Sequence, residues 1–255
     1  MCTLALYFRV FEEYPLLVAA NRDEHYDRPA AAPQVLDTKP KIFAGKDLRA
    51  GGTWLGMNEC GLIAGILNRQ VSSDQSPARD CRSRGLLCLD LLKCRSLREA
   101  CALVASQEKV TYRPFTLVVS DKNESWVASN RASEIHTERL NPGLHVFSNT
   151  AEFDARSEKV NRAYHLFATL IDKSLSISEA PNSWVTQLAQ ILADHNSENH
   201  TSNPKGAICV HGEISGTVSS SIICYSRSEH EFQNFYSAGA PCRNPFLPQP
   251  NLAIR

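Results

Sequence analysis

Met1-Cys2-Thr3-Leu4-Ala5-Leu6-Tyr7 opens the chain, a cysteine set directly before a run that reads as a strand. A small side chain after the initiator methionine favours removal of Met1. Cys2 is then the mature N-terminus and carries both a thiol and a free α-amine. The reference pKa of such an amine is about 7.7–8.0 and that of the thiol about 8.5. At neutral pH part of the amine is unprotonated and can take the thiol's proton. A nucleophile paired with an N-terminal amine is an established route to activation.

Working outward, Thr3–Phe11 and Leu16–Ala20 are apolar runs separated by Glu12-Glu13-Tyr14-Pro15, the pattern of a hairpin. Asn21-Arg22-Asp23-Glu24-His25 closes the second run with a dense polar cluster. Pro29 to Pro40, rich in proline and alanine, reads as a loop. Gly51 to Asn58 leads into a strand, Asn58-Glu59-Cys60-Gly61 is a turn, and Leu62–Leu67 is a further strand ending at Asn68-Arg69. Helical spacing follows in Arg82–Leu92, and Ser96-Leu97-Arg98-Glu99 fits a capping box at the start of a second helix. Phe115–Val119, Ser125–Ala128 and Leu144–Phe147 read as strands. Helices are expected over Glu158–Ile171, with Val160, Tyr164, Phe167, Leu170 and Ile171 inward, and over Trp184–Ala193. Ala207–Val210, Thr217–Tyr225 and Glu231–Tyr236 complete the strands, and Ser197–Pro204 and Pro245–Pro250 are the expected mobile stretches. Strands, helices and strands again with short turns predict an α+β fold with mainly antiparallel sheets.

Composition excludes several classes. The 255 residues carry 27 basic and 27 acidic side chains, so no electrostatic footprint for nucleic acid is present. Apolar runs fall far short of a bilayer span, which predicts no integral membrane segment. The N-terminus has no basic region followed by a long apolar one, so no secretory signal is expected. Nine cysteines with no CxxC, and with Cys81, Cys88, Cys94 and Cys101 matching no zinc template, point to a reduced cytoplasmic setting. Neither a metal nor a cofactor is expected.

Three strands end in polar residues that packing does not require: Asn21-Arg22-Asp23-Glu24, Asn68-Arg69 and Ser148-Asn149. Asparagine amides supply N–H groups to a developing oxyanion without titrating. A carboxylate near an amine can orient it during proton transfer. Taken singly, each asparagine could equally serve to turn the chain after its strand.

Read with Cys2, Asn21-Arg22-Asp23-Glu24 resembles the signature of the NRDE family of transport and Golgi organisation 2-like proteins. The likeness extends through Ala19-Ala20, Arg28-Pro29 and Gly51-Gly52-Thr53-Trp54-Leu55-Gly56, and on to the Thr217–Tyr225 strand. The family is in turn similar to N-terminal-nucleophile hydrolases of the bile-salt and penicillin V amidase branch. The resemblance implies a four-layer αββα sandwich in a single domain over residues 1–255, with Cys2 as nucleophile. The stretch from Gly56 to Asn68 is similar to an amidase segment that ends in an oxyanion-hole asparagine, which implies that role for Asn68. Phe147 to Asp154 resembles a second segment and implies an assisting role for Asn149. Asp23 corresponds to the aspartate that contacts the cysteine's amino group, and Asn21, Arg22 and Trp54 fall on the substrate side.

The pattern departs from the amidases at two places. Ala20 stands where they carry a catalytic arginine, and Gly216-Thr217-Val218 stands where NRDE relatives often read Gly-Thr-Arg. If the strand persists, Asn21 and Asp23 share one face and Arg22 takes the other. Two functions are open at this stage. One is hydrolysis of an amide or thioester in a small molecule. The other is non-catalytic binding or transport of a hydrophobic metabolite such as haem or an acyl-CoA thioester, with His25, His145, His165 and His211 as possible iron ligands.

Overall fold

A computed structural model describes residues 2–69, 81–107, 112–131, 134–149, 158–172, 181–196 and 206–255. In chain order the first strands are β1 (Thr3–Phe8), β2 (Leu16–His25), β3 (Ala30–Thr38), β4 (Lys41–Asp47), β5 (Leu55–Asn58) and β6 (Ile63–Asn68). Helices α1 (Arg84–Leu92) and α2 (Leu97–Ala105) precede β7 (Phe115–Ser120), β8 (Ser125–Arg131), β9 (Glu134–Arg139) and β10 (Gly143–Ser148). Then come α3 (Glu158–Asp172), α4 (Pro181–Leu192), β11 (Ser215–Ser226), β12 (Glu231–Ser237) and β13 (Leu247–Ala253). No helix among the described residues is long and apolar enough to cross a membrane. The chain divides into two compact units, the first holding residues 1–27, 142–148 and 152–251 and the second most of the rest. The expected stretch Ser197–Pro204 lies outside the described residues.

The first unit is built on a six-stranded sheet in the order β10-β1-β2-β11-β12-β13. The predicted hairpin is present as β1 against β2, with Phe8 opposite Leu16 and Thr3 opposite Asn21. Alternation sends Ala5, Tyr7, Leu17, Ala19, Ile222 and Cys224 to one face, where they pack on Ala163, Phe167, Leu170, Trp184 and Leu188 of α3 and α4. The phenol of Tyr7 must find an acceptor in this apolar layer, and it donates to the Phe167 carbonyl at 2.7 Å.

Three sequence expectations change in this unit. The buried stripe of α3 runs through Lys159, Ala163, Phe167 and Leu170, while Tyr164 is 44% exposed. Phe167 and Leu170 are buried as expected, but Lys159 and Ala163 take the places expected of Val160 and Tyr164, because a small alanine and a lysine carry little weight in a search for large apolar residues. Ala207–Val210 is buried yet forms no ladder strand. Its backbone is held instead by single contacts, among them the Cys209 N–H donating to the Asp194 carbonyl at 2.9 Å. Periodicity cannot separate such a segment from a buried strand. Most of Pro245–Pro250, expected to be mobile, falls within β13, at the sheet edge where prolines without N–H groups are tolerated.

The second unit is a seven-stranded meander in sequence order, β3 to β9, antiparallel at every pairing. The Pro29–Pro40 stretch is not a loop but holds β3, an edge strand whose register shifts between Ala31 and Gln34, around Pro33. α1 and α2 cover the sheet through Leu87, Leu91, Leu97 and Val104, against Ile42, Leu62, Leu117 and Val119. The α2 start matches its sequence signal, with the Ser96 hydroxyl accepting from the Glu99 N–H at 3.2 Å. Asn58 is fully buried, and its amide donates to the Leu92 and Cys94 carbonyls while accepting from Cys60 and Leu62.

Asp47 organises the turn that carries the Gly51-Gly52 motif. Its carboxylate accepts from the Arg49 and Ala50 N–H groups and from Arg28, and Gly51 completes the turn with φ at 76°. Partial burial alone pushes this carboxyl up, but the hydrogen bonds from Ala50 and Arg28 outweigh it and hold it below the usual range. A carboxylate depressed by folding contributes stability above its unfolded pKa of about 3.9, and that contribution fades as pH falls through the folded value. Asp47→Asn is expected to lower stability by about 1–3 kcal/mol at pH 7. The difference from the parent should shrink below about pH 4. Denaturant unfolding of both proteins across that range checks it.

Candidate active site

β2 runs without interruption through Asn21-Arg22-Asp23-Glu24 to His25, and so carries this cluster into the sheet. The inward face that Leu17 and Ala19 occupy continues with Asn21 and Asp23, 2% and 4% exposed. Buried polar groups need partners. Opposite them, β11 shifts register between Thr217 and Ser219, so Thr217 faces Asp23 while Ser220 faces Asn21. In a regular strand two residues three apart would point to opposite faces. The bulge brings both hydroxyls to the same side, where Thr217 donates to Asp23 Oδ1 and Ser220 to Asn21 Oδ1, each at 2.6 Å.

The amide of Asn21 is spent on the fold. Its two N–H groups go to the carbonyls of Leu192, at the end of α4, and Ile208, at 2.8 and 3.0 Å. Asn21 therefore ties the sheet to the helix layer. Asp23 has a different partner. Lys159, in the first turn of α3 and equally buried, places Nζ 3.6 Å from Asp23 Oδ2. Burial pushes the Asp23 carboxyl up, with the Lys159 charge and the Thr217 hydroxyl opposing that shift.

Cys2 precedes β1, one residue before the Thr3–Asn21 pair and thus across from Arg22. Its thiol lies 3.8 Å from the Asp23 carbonyl oxygen, and its own carbonyl accepts from Ser148 at 3.2 Å. Burial, and then the Asp23 charge, push the thiol above its ordinary range, while the N-terminal ammonium, the Asp23 backbone and then Arg22 act in the opposite sense. The structure thus brings Cys2, Arg22 and Asp23 together, with Asn21 alongside. Lys159 and Thr217 were missed by sequence reasoning. The available signal for Lys159 was its place four residues before Ala163 and eight before Phe167 on the buried stripe.

The remaining sequence candidates belong to the second unit. Asn68 ends β6 with an exposed side chain, opposite Phe115. Asn149 directly follows β10 and is 4% exposed. Trp54 covers Gly45, where an added Cβ would fall 2.5 Å from its ring, and its carbonyl accepts from the Ile66 N–H at 2.8 Å. Of the four histidines considered as iron ligands, among the described residues only His211 stands in a group of three or more possible donors.

The sequence model of the Transport and Golgi organisation 2 family matches residues 1–235. The Transport and Golgi organization 2 homolog of Mus musculus is 27% identical over 240 residues, covering 85% of this chain and 84% of its own. Among solved structures, the Caenorhabditis elegans ortholog of N-acylethanolamine-hydrolyzing acid amidase aligns with a TM-score of 0.55 at 15% identity, covering 87% of this chain and 92% of that one. The C2A mutant of the conjugated bile acid hydrolase from Clostridium perfringens gives 0.55 at 12% identity, over 100% and 98%. At these identities the likeness bears on fold alone. It shows that the chain shares the α+β fold of these two proteins, as the sequence implied.

Two predictions follow from the charges around Cys2. Alkylation of Cys2 by iodoacetamide, followed by peptide mass spectrometry against pH, should titrate above the ordinary thiol value of about 8.5. Asp23→Asn should move the midpoint down and Arg22→Gln should move it up; shifts of the opposite sign would show that these charges do not act on the sulfur. Lys159→Met removes the buried cation at Asp23 Oδ2 and should cost about 3–5 kcal/mol in denaturant unfolding. Adding Asp23→Asn to that variant should restore much of the loss.

Proposed function

We propose, from the premise that this chain belongs to the Transport and Golgi organisation 2 family, that it is an N-terminal cysteine hydrolase of an amide or thioester bond in a small molecule. The observation that carries this reading is the Cys2 thiol against the Asp23 backbone at the start of β1, beside a buried carboxylate. The fold supports it: the two solved relatives are described as hydrolysing an N-acylethanolamine and a conjugated bile acid. The whole chain is taken as one domain.

The chemistry proceeds from a chain that has lost Met1. The α-amine of Cys2 accepts the thiol proton as sulfur forms a bond to the substrate carbonyl carbon. Asn68 and Asn149 are assigned as donors to the resulting oxyanion. As the tetrahedral species collapses, the ammonium returns its proton to the departing amine or thiol, and an acyl-cysteine remains. Water then attacks, losing a proton to the same amine, and the acid leaves as the thiol is restored. Asp23 is assigned to hold the amine in position.

Intact mass of the purified protein should show Met1 absent. A p-nitrophenyl ester or acyl-CoA thioester should acylate Cys2 before the other thiols and turn over beyond one equivalent. Cys2→Ala should abolish both steps, and Asn68→Ala should lower turnover by about two to three orders of magnitude. Retention of Met1, or labelling spread over several cysteines, would overturn the reading. Labelling of Cys2 without turnover would instead favour a binding site for an acyl group.

A further inference from the structure

His195, Cys209, His211 and Cys242 come from three separate stretches: the residues after α4, the segment before β11, and the connection between β12 and β13. Their spacing matches no zinc template, and the fold alone assembles them. One donor atom from each lies within 4.8 Å of all the others. The Cys209 and Cys242 sulfurs are 3.8 Å apart, and His211 Nε2 is 3.8 Å from the first and 3.3 Å from the second.

These three distances are close to edges of a coordination tetrahedron. With Zn–S of about 2.3 Å and Zn–N of about 2.0–2.1 Å, tetrahedral angles require about 3.8 Å between two thiolates and about 3.6 Å between thiolate and imidazole. A disulfide would bring the two sulfurs to about 2.0 Å. A second observation concerns His195. Its Nδ1 lies 3.2 Å from the Cys209 carbonyl. Donation there fixes the tautomer that leaves Nε2 with its lone pair, the arrangement by which ligating histidines are commonly oriented. The two imidazole rings stand 5.0 Å apart and tilted by 36°, so each can direct a nitrogen to a shared centre.

We propose that these four side chains bind one Zn²⁺ ion in a closed structural site. Two thiolates cancel the ion's charge, and sulfur with imidazole selects zinc over hard cations such as magnesium or calcium. Four protein donors leave no open position for substrate. Cys242 and His195 are exposed, which gives the ion a path in, while Cys209 is buried.

The ion holds a segment that no ladder holds. Val210, between two of the ligands, donates its N–H to the Thr217 hydroxyl at 2.9 Å, and its carbonyl accepts from the Thr217 N–H at 2.8 Å. A hydroxyl that accepts from Val210 turns its single proton elsewhere, here to Asp23. Zinc on Cys209 and His211 would thereby hold the segment whose Val210 bonds to Thr217, the residue that donates to Asp23. Metal binding itself does not depend on the hydrolase reading.

The test uses the full-length chain, reduced and freed of metal, titrated with Co²⁺ and then Zn²⁺. The expected result is one equivalent of tetrahedral cobalt with thiolate charge-transfer absorption, bleached by zinc, and a melting temperature raised by zinc. Loss of a second-shell partner typically lowers metal affinity by about 10–100-fold, so Cys242→Ser and His195→Ala should each lose at least that much. Both replace exposed side chains, and circular dichroism verifies that they fold. Absent thiolate–cobalt absorption, absorption unchanged in both variants, or a Cys209–Cys242 disulfide that persists under reducing conditions would each overturn the proposal.

Discussion

A carboxylate set into the face of a sheet and covered by helices cannot hold its charge without compensation, and Asp23 is in that position. The first unit is arranged around meeting this demand. A bulge in β11 turns Thr217 toward it, and α3 contributes a lysine where its pattern calls for an apolar residue. Neither feature stabilises the unit as well as a packed apolar pair would, since buried ion pairs recover their desolvation cost only in part. Both meet Asp23, whose backbone lies against the Cys2 thiol, and the proposed chemistry rests on that proximity. Because the same strand continues from Leu17 and Ala19, the carboxylate is held on a central strand of the sheet.

Much of the fold was legible because the strands of the first sheet are dense in apolar residues and broken by turn chemistry. Glu12 to Pro15 marked the hairpin, and Ser96 with Glu99 marked a helix start. What escaped reading did so for identifiable reasons. β3 carries proline and alternates weakly, as an edge strand does, and β9 is almost wholly exposed. Ala207–Val210 has the composition of a strand but takes its hydrogen bonds from side chains and isolated backbone partners. In the site, Cys2 and Asp23 were legible as chemistry-bearing residues at a strand start and a strand end. Lys159 and Thr217 were not, since burial of a lysine and the face of a threonine past a bulge are set by tertiary pairing.

Asparagines show the same division between pattern and partner. Asn21, Asn58 and Asn130 are all buried within strands, and each gives both amide N–H groups to backbone carbonyls. An amide so committed has no proton left for an oxyanion. In sequence these three look no different from Asn68, which ends its strand exposed. Residue type and position therefore nominate an oxyanion donor, and only the count of hydrogen bonds already made can remove one from consideration.

The electrostatics of Cys2 add a constraint on mechanism. Enzymes that rely on a standing thiolate place cations or helix N-termini at the sulfur to lower its pKa. Here burial and a carboxylate act in the opposite sense, and the N-terminal ammonium, the Asp23 backbone and the Arg22 guanidinium offset them only in part. Under the proposed reaction, a sulfur held protonated by burial becomes nucleophilic when its proton moves to a base within reach. In a chain beginning at Cys2 the α-amine is attached to the same residue, so the base needs no separate positioning beyond the carboxylate at its side.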